Sequence, residues 1–206
     1  MHRTLPLLLL AAGLAGAEDP APAPPPPLKV TVPAFPNTSC PIMGKRASRK
    51  LFVDTTMGRI YVCCASCNED ILADVERAHR TAYPVVRKAG NAACPVTGKP
   101  VKADGPKVVL QGYEVGLCCT DCADKARADA QAVLALATNP KVKDVGNRTC
   151  PVTGMDVAPN TIVLVGDEIV RLSSEECVAE VEKDGAKALA RAKEIVAEAK
   201  AANETK

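Results

Sequence analysis

The strongest constraint on this chain is a spaced cysteine pattern that occurs twice in full and a third time with thiols missing. Cys40 opens Cys40-Pro41-Ile42-Met43-Gly44, and 22 residues separate it from Cys63-Cys64-Ala65-Ser66-Cys67. Cys94 opens Cys94-Pro95-Val96-Thr97-Gly98, with 23 residues before Cys118-Cys119-Thr120-Asp121-Cys122. Cys150 opens Cys150-Pro151-Val152-Thr153-Gly154, with 22 residues before Ser173-Ser174-Glu175-Glu176-Cys177. All ten cysteines fall inside this pattern. A repeat of roughly 55 residues implies three like units in series. Units of that size build weak cores, and this chain has only 2% aromatic residues and no tryptophan. A bound metal or disulfides are therefore expected to supply part of the stability.

Each unit reads in the same order, which predicts an α+β fold of three small tandem units. The Cys-Pro-x-x-Gly turn comes first, with proline fixing one dihedral and glycine supplying a positive φ. A β-hairpin follows, because β-branched runs are bounded by glycine turns. Leu51 to Val53 faces Arg59 to Val62, Val108 to Leu110 faces Tyr113 to Val115, and Thr161 to Val165 faces Glu168 to Leu172. Helices are expected over Asn68 to His79, Ala123 to Leu136 and Ser174 to Lys183, each followed by a second helix after Pro84, Pro140 and Gly185. The first should bury Ile71, Leu72 and Val75. The last carries a stripe of Leu189, Ala192, Val196 and Ala199 at helical spacing, read as core packing. Glycine-asparagine pairs near Gly90 and Gly146 place the units at 37–90, 91–146 and 147–206. Linkers that short imply a compact array.

The chemistry lies in the thiols. Cys64-x-x-Cys67 and Cys119-x-x-Cys122 put two sulfurs in one tight turn at a helix start, where both can face one ion. Helix amides there favour the thiolate. Cys40 and Cys94 come from the other turn. Cys63 and Cys118 are the fourth candidates in each unit, although adjacent strand residues point to opposite sides. By that logic Cys63 joins Cys64 only if the strand bends. Four thiolates suit a soft ion, copper(I) or zinc, at about one per intact repeat. Met43 is a further candidate through its thioether, which would favour copper(I), although a plain hydrophobic turn residue is the simpler reading. Cys150 and Cys177 are weaker candidates. Two thiols cannot fill a tetrahedral shell, though they could hold linear copper(I) or form a disulfide, and a structural role is expected for this third unit. His79, the one histidine after the leader, is expected at a surface or helix end and not as a ligand.

The order Cys-Pro-x-x-Gly, hairpin, Tyr61-Val62-Cys63-Cys64-x-x-Cys67, helix resembles the YHS/TRASH-type heavy-metal-binding domains. Cys40, Cys63 and Cys67 meet the signature of that family, and Cys94, Cys118 and Cys122 meet it with one extra residue. The resemblance covers residues 38–90 and 92–146, and more weakly 148–200. It implies a treble-clef-like fold and binding of copper, zinc or related ions in sensing, trafficking or resistance. Relatives often carry a second cysteine in the first turn, where this chain has Met43, Thr97 and Thr153.

The N-terminus bears on location. Arg3, the apolar run Leu5 to Leu14 and Ala15-Gly16-Ala17 read as a signal peptide over 1–17, cleaved near Ala17, for secretion or a periplasm. A proline-rich linker is expected over 18–36, with Pro20 to Pro27 an extended tether. Loss of Arg3 would leave 25 of the 26 basic residues against 24 acidic ones. That balance points to no nucleic-acid partner. No segment of the mature chain reads as transmembrane. The expected partners are a metal ion and a delivery or efflux protein. Two other classes stay open: an interaction scaffold stapled by metal or disulfides, and a thiol-disulfide redox protein built on the Cys-x-x-Cys pairs. No other enzyme is expected, since no histidine–acid pair or phosphate loop is present.

Overall fold

Three hairpins, each led by a Cys-Pro turn and followed by a pair of helices, build the molecule. The computed structural model describes residues 28–204. The expected signal peptide and the Pro20 to Pro27 tether lie outside the described residues. The fold is mixed α+β, with six α-helices and three small sheets among the described residues.

The first unit has strands β2 (Phe52–Thr55) and β3 (Gly58–Tyr61) and helices α1 (Asn68–Ala73) and α2 (Val75–Ala82). The second has β5 (Lys107–Leu110), β6 (Tyr113–Gly116), α3 (Cys122–Ala128) and α4 (Ala130–Thr138). The third has β8 (Ile162–Val165), β9 (Glu168–Arg171), α5 (Glu176–Lys183) and α6 (Gly185–Glu204). The hairpins form as their β-branched runs require, with Val53 opposite Ile60, Val108 opposite Val115 and Val163 opposite Val170.

The helices differ from expectation. Asn68 to His79 is not one helix, and neither is Ala123 to Leu136. Asp74 and Asp129 break them, and Asp184 separates α5 from α6. Asp74 and Asp184 each accept a backbone N–H three residues on, from Arg77 and Lys187 at 3.0 Å, and so start a new helix in a new direction. The kink buries Ile71, Ala78 and Ala82 but turns Leu72 outward, where it is 59% exposed. It also turns His79 inward. That residue is buried against Tyr83, 5.1 Å away ring to ring, and is not at the surface. In α6 the expected stripe is buried only at Leu189 and Ala192, while Val196 is half-buried and Ala199 exposed.

No helix follows Pro84 or Pro140. Short strands stand there instead: β4 (Arg87–Lys88) and β7 (Lys143–Asp144). Each leaves its own unit and pairs in parallel with the next unit's hairpin. Arg87 lies beside Tyr113, and Lys143 beside Glu168. The backbone N–H of Arg87 donates to Gly112 O at 2.8 Å, and that of Ala89 to Glu114 O at 2.9 Å. An open hairpin edge satisfies these groups better than an isolated turn of helix would.

Residues 28–36, read above as the end of a linker, are built into the body. Strand β1 (Val30–Thr31) pairs antiparallel with β8 of the third unit. Phe35 packs on the core of the second unit, and its carbonyl accepts from Tyr83 Oη of the first at 3.1 Å. One short segment thus touches all three units.

Helix α4 sits at the centre, which explains its alanines. Ala130, Val133, Leu134 and Ala137 face the second unit's core, while Ala132 and Ala135 meet Ile162 and Ile169 of the third. Small side chains let the helix be buried on several sides at once.

Candidate metal centre

The two intact repeats each bring their thiols together. Cys40, Cys63 and Cys67 have sulfurs all within 4.8 Å of one another, and so do Cys94, Cys118 and Cys122. In the first unit Cys40 and Cys67 are 3.6 Å apart. Cys64 is 3.7 Å from Cys63 and 3.4 Å from Cys67. In the second, Cys118 is 3.8 Å from Cys119 and 3.7 Å from Cys122, and Cys119 is 3.3 Å from Cys122. Sulfurs at about 2.3 Å from one zinc ion stand about 3.8 Å apart, so the three mutually close thiols of each unit fit such an ion, with Cys64 or Cys119 beside them. Copper(I) thiolates have the same soft donors. In this structure the ten cysteines stand as free thiols.

Local structure explains the convergence. The Cys-Pro-x-x-Gly turn closes by hydrogen bonds from Cys40 N–H to Lys45 O at 2.7 Å and from Gly44 N–H to Cys40 O at 2.9 Å, with Gly44 at φ +64°. The same bonds recur at Cys94 and Cys150. A short 3-10 turn over Ala65–Cys67 then carries the chain from hairpin to helix.

The ranking of Cys63 and Cys64 is the reverse of the strand-alternation expectation. Strand β3 ends at Tyr61, so the alternation rule no longer governs Cys63. The chain bends beyond the strand, Cys63 enters the mutually close set, and Cys64 stands at its edge beside Cys67. Met43 is 53% exposed on its turn. Its counterpart Thr97 puts its hydroxyl 3.2 Å from Cys118 Sγ, a contact the cysteine pattern alone does not reveal.

The helix-start expectation holds for Cys64 and Cys119, whose thiols are lowered, and fails for Cys67 and Cys122. Burial pushes the Cys40 thiol up, but the backbone N–H groups of Met43, Cys63 and Ile42 outweigh it and bring the thiol down to about 7. Cys94 likewise falls to about 7 against its burial, through N–H groups of Cys118 and Val96 and the Thr97 side chain. Cys67, at the helix start, is instead pushed up by burial and by its sulfur neighbours. Cys122 rises to about 12 beside Cys119. Cys64 is lowered by the Ser66 hydroxyl, 3.2 Å away. Without an ion, the environment therefore favours negative charge at the turn cysteine and disfavours it at Cys67 and Cys122.

An asparagine three residues before each turn cysteine, absent from the sequence reading as a site residue, positions these groups. Asn37 donates to Ser39 O and Tyr61 O and accepts from Tyr61 N–H, all at 2.8 Å. Asn91 does the same for Ala93 O, Gly116 O and Gly116 N–H. Asn147 repeats it with Thr149 and Arg171. Each clamp ties a Cys-Pro turn to the second hairpin strand, two residues before Cys63, Cys118 or Ser173. The spacing of Asn37, Asn91 and Asn147 from Cys40, Cys94 and Cys150 was its only signal.

The third unit keeps the frame without the donors. Cys150 and Cys177 are 3.9 Å apart and both buried. Ser173 and Ser174 stand 3.5 Å and 3.6 Å from Cys177, where the second unit has thiols. Thr153 Oγ1 meets Ser173 Oγ at 2.9 Å. His79 belongs to neither thiol group, and burial lowers its pKa.

No protein-family model, curated protein or solved structure matches this chain. The likeness to heavy-metal-binding domains thus stands on the cysteine pattern and on the two thiol groups. No helix of the described residues is long and apolar enough to cross a membrane.

Proposed function

We propose that this chain is an exported protein that holds one soft metal ion, copper(I) or zinc, in each of its first two units, for sequestration, trafficking or resistance. One observation carries the reading: the same three positions of two repeats bring their sulfurs within 4.8 Å of one another, with a fourth thiol alongside. Cys40, Cys63, Cys64 and Cys67 would hold one ion, and Cys94, Cys118, Cys119 and Cys122 the other. In the same reading each unit is treble-clef-like, with turn, hairpin and helix meeting at the thiols.

The donors favour cargo over catalysis. Every candidate ligand is sulfur, and a filled thiolate shell leaves no open position for a substrate. Cys119 is exposed and Cys64 and Cys118 half-buried, so one side of each site faces solvent, where an acceptor protein could take the ion. Delivery or efflux proteins are the partners this reading implies, and a secreted or periplasmic location goes with the leader-like N-terminus.

A structural staple is the second reading. It is favoured by the place of Cys40 and Cys67 inside the first unit's apolar core, beside Ile60, Val62 and Ile71. An exchangeable ion would pass to a competing chelator faster than the unit unfolds, whereas a staple would leave only as the unit unfolds. The deciding experiment is elemental analysis of the purified chain with a free-thiol count. About two equivalents of copper or zinc, with thiols recovered after chelation, support the proposal. No metal and no free thiols would overturn it.

A further inference from the structure

The third unit poses a chemical question that the metal sites do not answer. Its two thiols lie on the turn and helix frame of the metal sites, yet the positions equivalent to Cys118 and Cys119 hold hydroxyls. Hydroxyls are hard donors and do not complete a soft-ion shell. They also do not oxidise to a disulfide. Cys150 and Cys177, 3.9 Å apart, are thus each other's sulfur neighbours in this unit, whose other side chains at this place are Ser173, Ser174 and Thr153.

The contrast with the other units is one of pairing. Four thiols in one cluster allow three disulfide arrangements, so oxidation of the first two units would scramble them. Two thiols allow one. The frame already holds Cys150 Sγ and Cys177 Sγ side by side, and a bond would draw them from 3.9 Å to roughly 2.05 Å. The bond would close a loop with 26 residues between the cysteines, joining the Cys-Pro turn to helix α5 across the unit.

We propose that Cys150 and Cys177 form a disulfide that staples the third unit, in the place where the first two units use metal. Its selectivity rests on the metal reading, because bound ions shield the other eight thiols. The chemistry is a two-electron exchange with a small disulfide oxidant. Cys150 and Cys177 lose two protons and two electrons as their sulfurs bond. The oxidant's sulfur–sulfur bond breaks, and it leaves as two thiols. Both cysteines are buried, so the exchange takes place as the unit folds or opens. Disulfide and metal suit one compartment: an oxidising medium closes the third unit while metal keeps the first two reduced.

The test refolds the full chain with two equivalents of zinc in a mixture of reduced and oxidised glutathione, then alkylates and maps the peptides. Zinc content is measured on the same sample. The expected result is one crosslink, Cys150–Cys177, with the other eight cysteines alkylated after chelation. Oxidation should also raise the unfolding temperature by several degrees, a rise absent from Cys177→Ser and reversed by a reductant. Recovery of Cys150 and Cys177 both alkylated, or their crosslinking to other cysteines, would overturn the inference. The two ideas fail separately. A crosslink without zinc strikes the metal reading alone, and zinc without the crosslink strikes this inference alone.

Discussion

The first and third units share a frame but not a means of support. The first has a two-stranded sheet, and its core includes two candidate ligands, Cys40 and Cys67. The third keeps thiols at those two places, Cys150 and Cys177, but has Ser173 and Ser174 where the first has Cys63 and Cys64, and is reinforced elsewhere. Its hairpin gains β1 on one side and β7 on the other, making four strands, and the first half of the twenty-residue α6 packs against it. Charged groups reach across to its neighbours as well. Arg171 pairs with Asp129 and Asp144 of the second unit, and Glu175 pairs with the buried Arg59 of the first at 3.2 Å. Glu175 stands in the very loop that carries the serines. On the proposed metal reading, the comparison teaches that a small repeat can dispense with metal when its neighbours lend it strands and ion pairs.

Metal removal should break this comparison most visibly. A chelator is expected to lower hydrogen-exchange protection of β2 and β3 by about 100-fold or more, and of β8 and β9 by less than about 10-fold. The second unit, which borrows β4 and contributes α4 to the centre, should fall between. Uniform loss in all three hairpins, read by mass spectrometry, would remove the distinction.

Arg59 is the next place to press. Its guanidinium lies over the Phe52 ring at 3.5 Å, pairs with Asp54 and Glu175, and donates to Asn160 O. Burial opposes its charge, yet its acidic partners hold its pKa above the ordinary value. Arg59→Met should destabilise the chain by about 2 kcal/mol, less than a fully buried pair because both carboxylates are partly solvated. Denaturant unfolding checks this. An effect below about 0.5 kcal/mol would mean that Arg59 does not help to join the units.

Asn91→Ala sharpens the account of the sites. It removes three hydrogen bonds and orphans the Gly116 N–H, so a loss of about 1–2 kcal/mol is expected. Metal affinity of the second unit should fall while that of the first holds. Titration of each site checks the split.

The smallest effect concerns pH. Burial lowers the pKa of His79, so the folded chain refuses a proton that the unfolded chain accepts near pH 6.5. The sign follows: stability from this group is full above about pH 6.5 and declines as pH falls toward the folded pKa. His79→Leu should flatten that part of the stability–pH curve. An unchanged slope would show that His79 titrates alike in both states.

Much of this was legible in the chain, for local reasons. The hairpins follow from β-branched runs between glycine turns, and the thiol groups from spacings that recur. What was not legible depends on contacts far along the chain. The strands after Pro84 and Pro140 exist because the next unit offers an edge, and Val30 finds its partner at Val165. Asp74, Asp129 and Asp184 recur at the repeat period, yet only the fold shows that they redirect helices and so bury His79. Asp129 also shows duty shifting with context: it makes no cap bond and pairs with Arg171 instead. Cys63 was a candidate only on condition that the strand bend, and the strand ends at Tyr61, before it.

The central claim is that the first two units hold metal and the third does not. The most direct test is metal stoichiometry across three chains: the parent, the Cys67→Ser/Cys122→Ser double variant, and Cys177→Ser. The account predicts about two equivalents, nearly none, and about two again. A full equivalent lost from Cys177→Ser alone would contradict it.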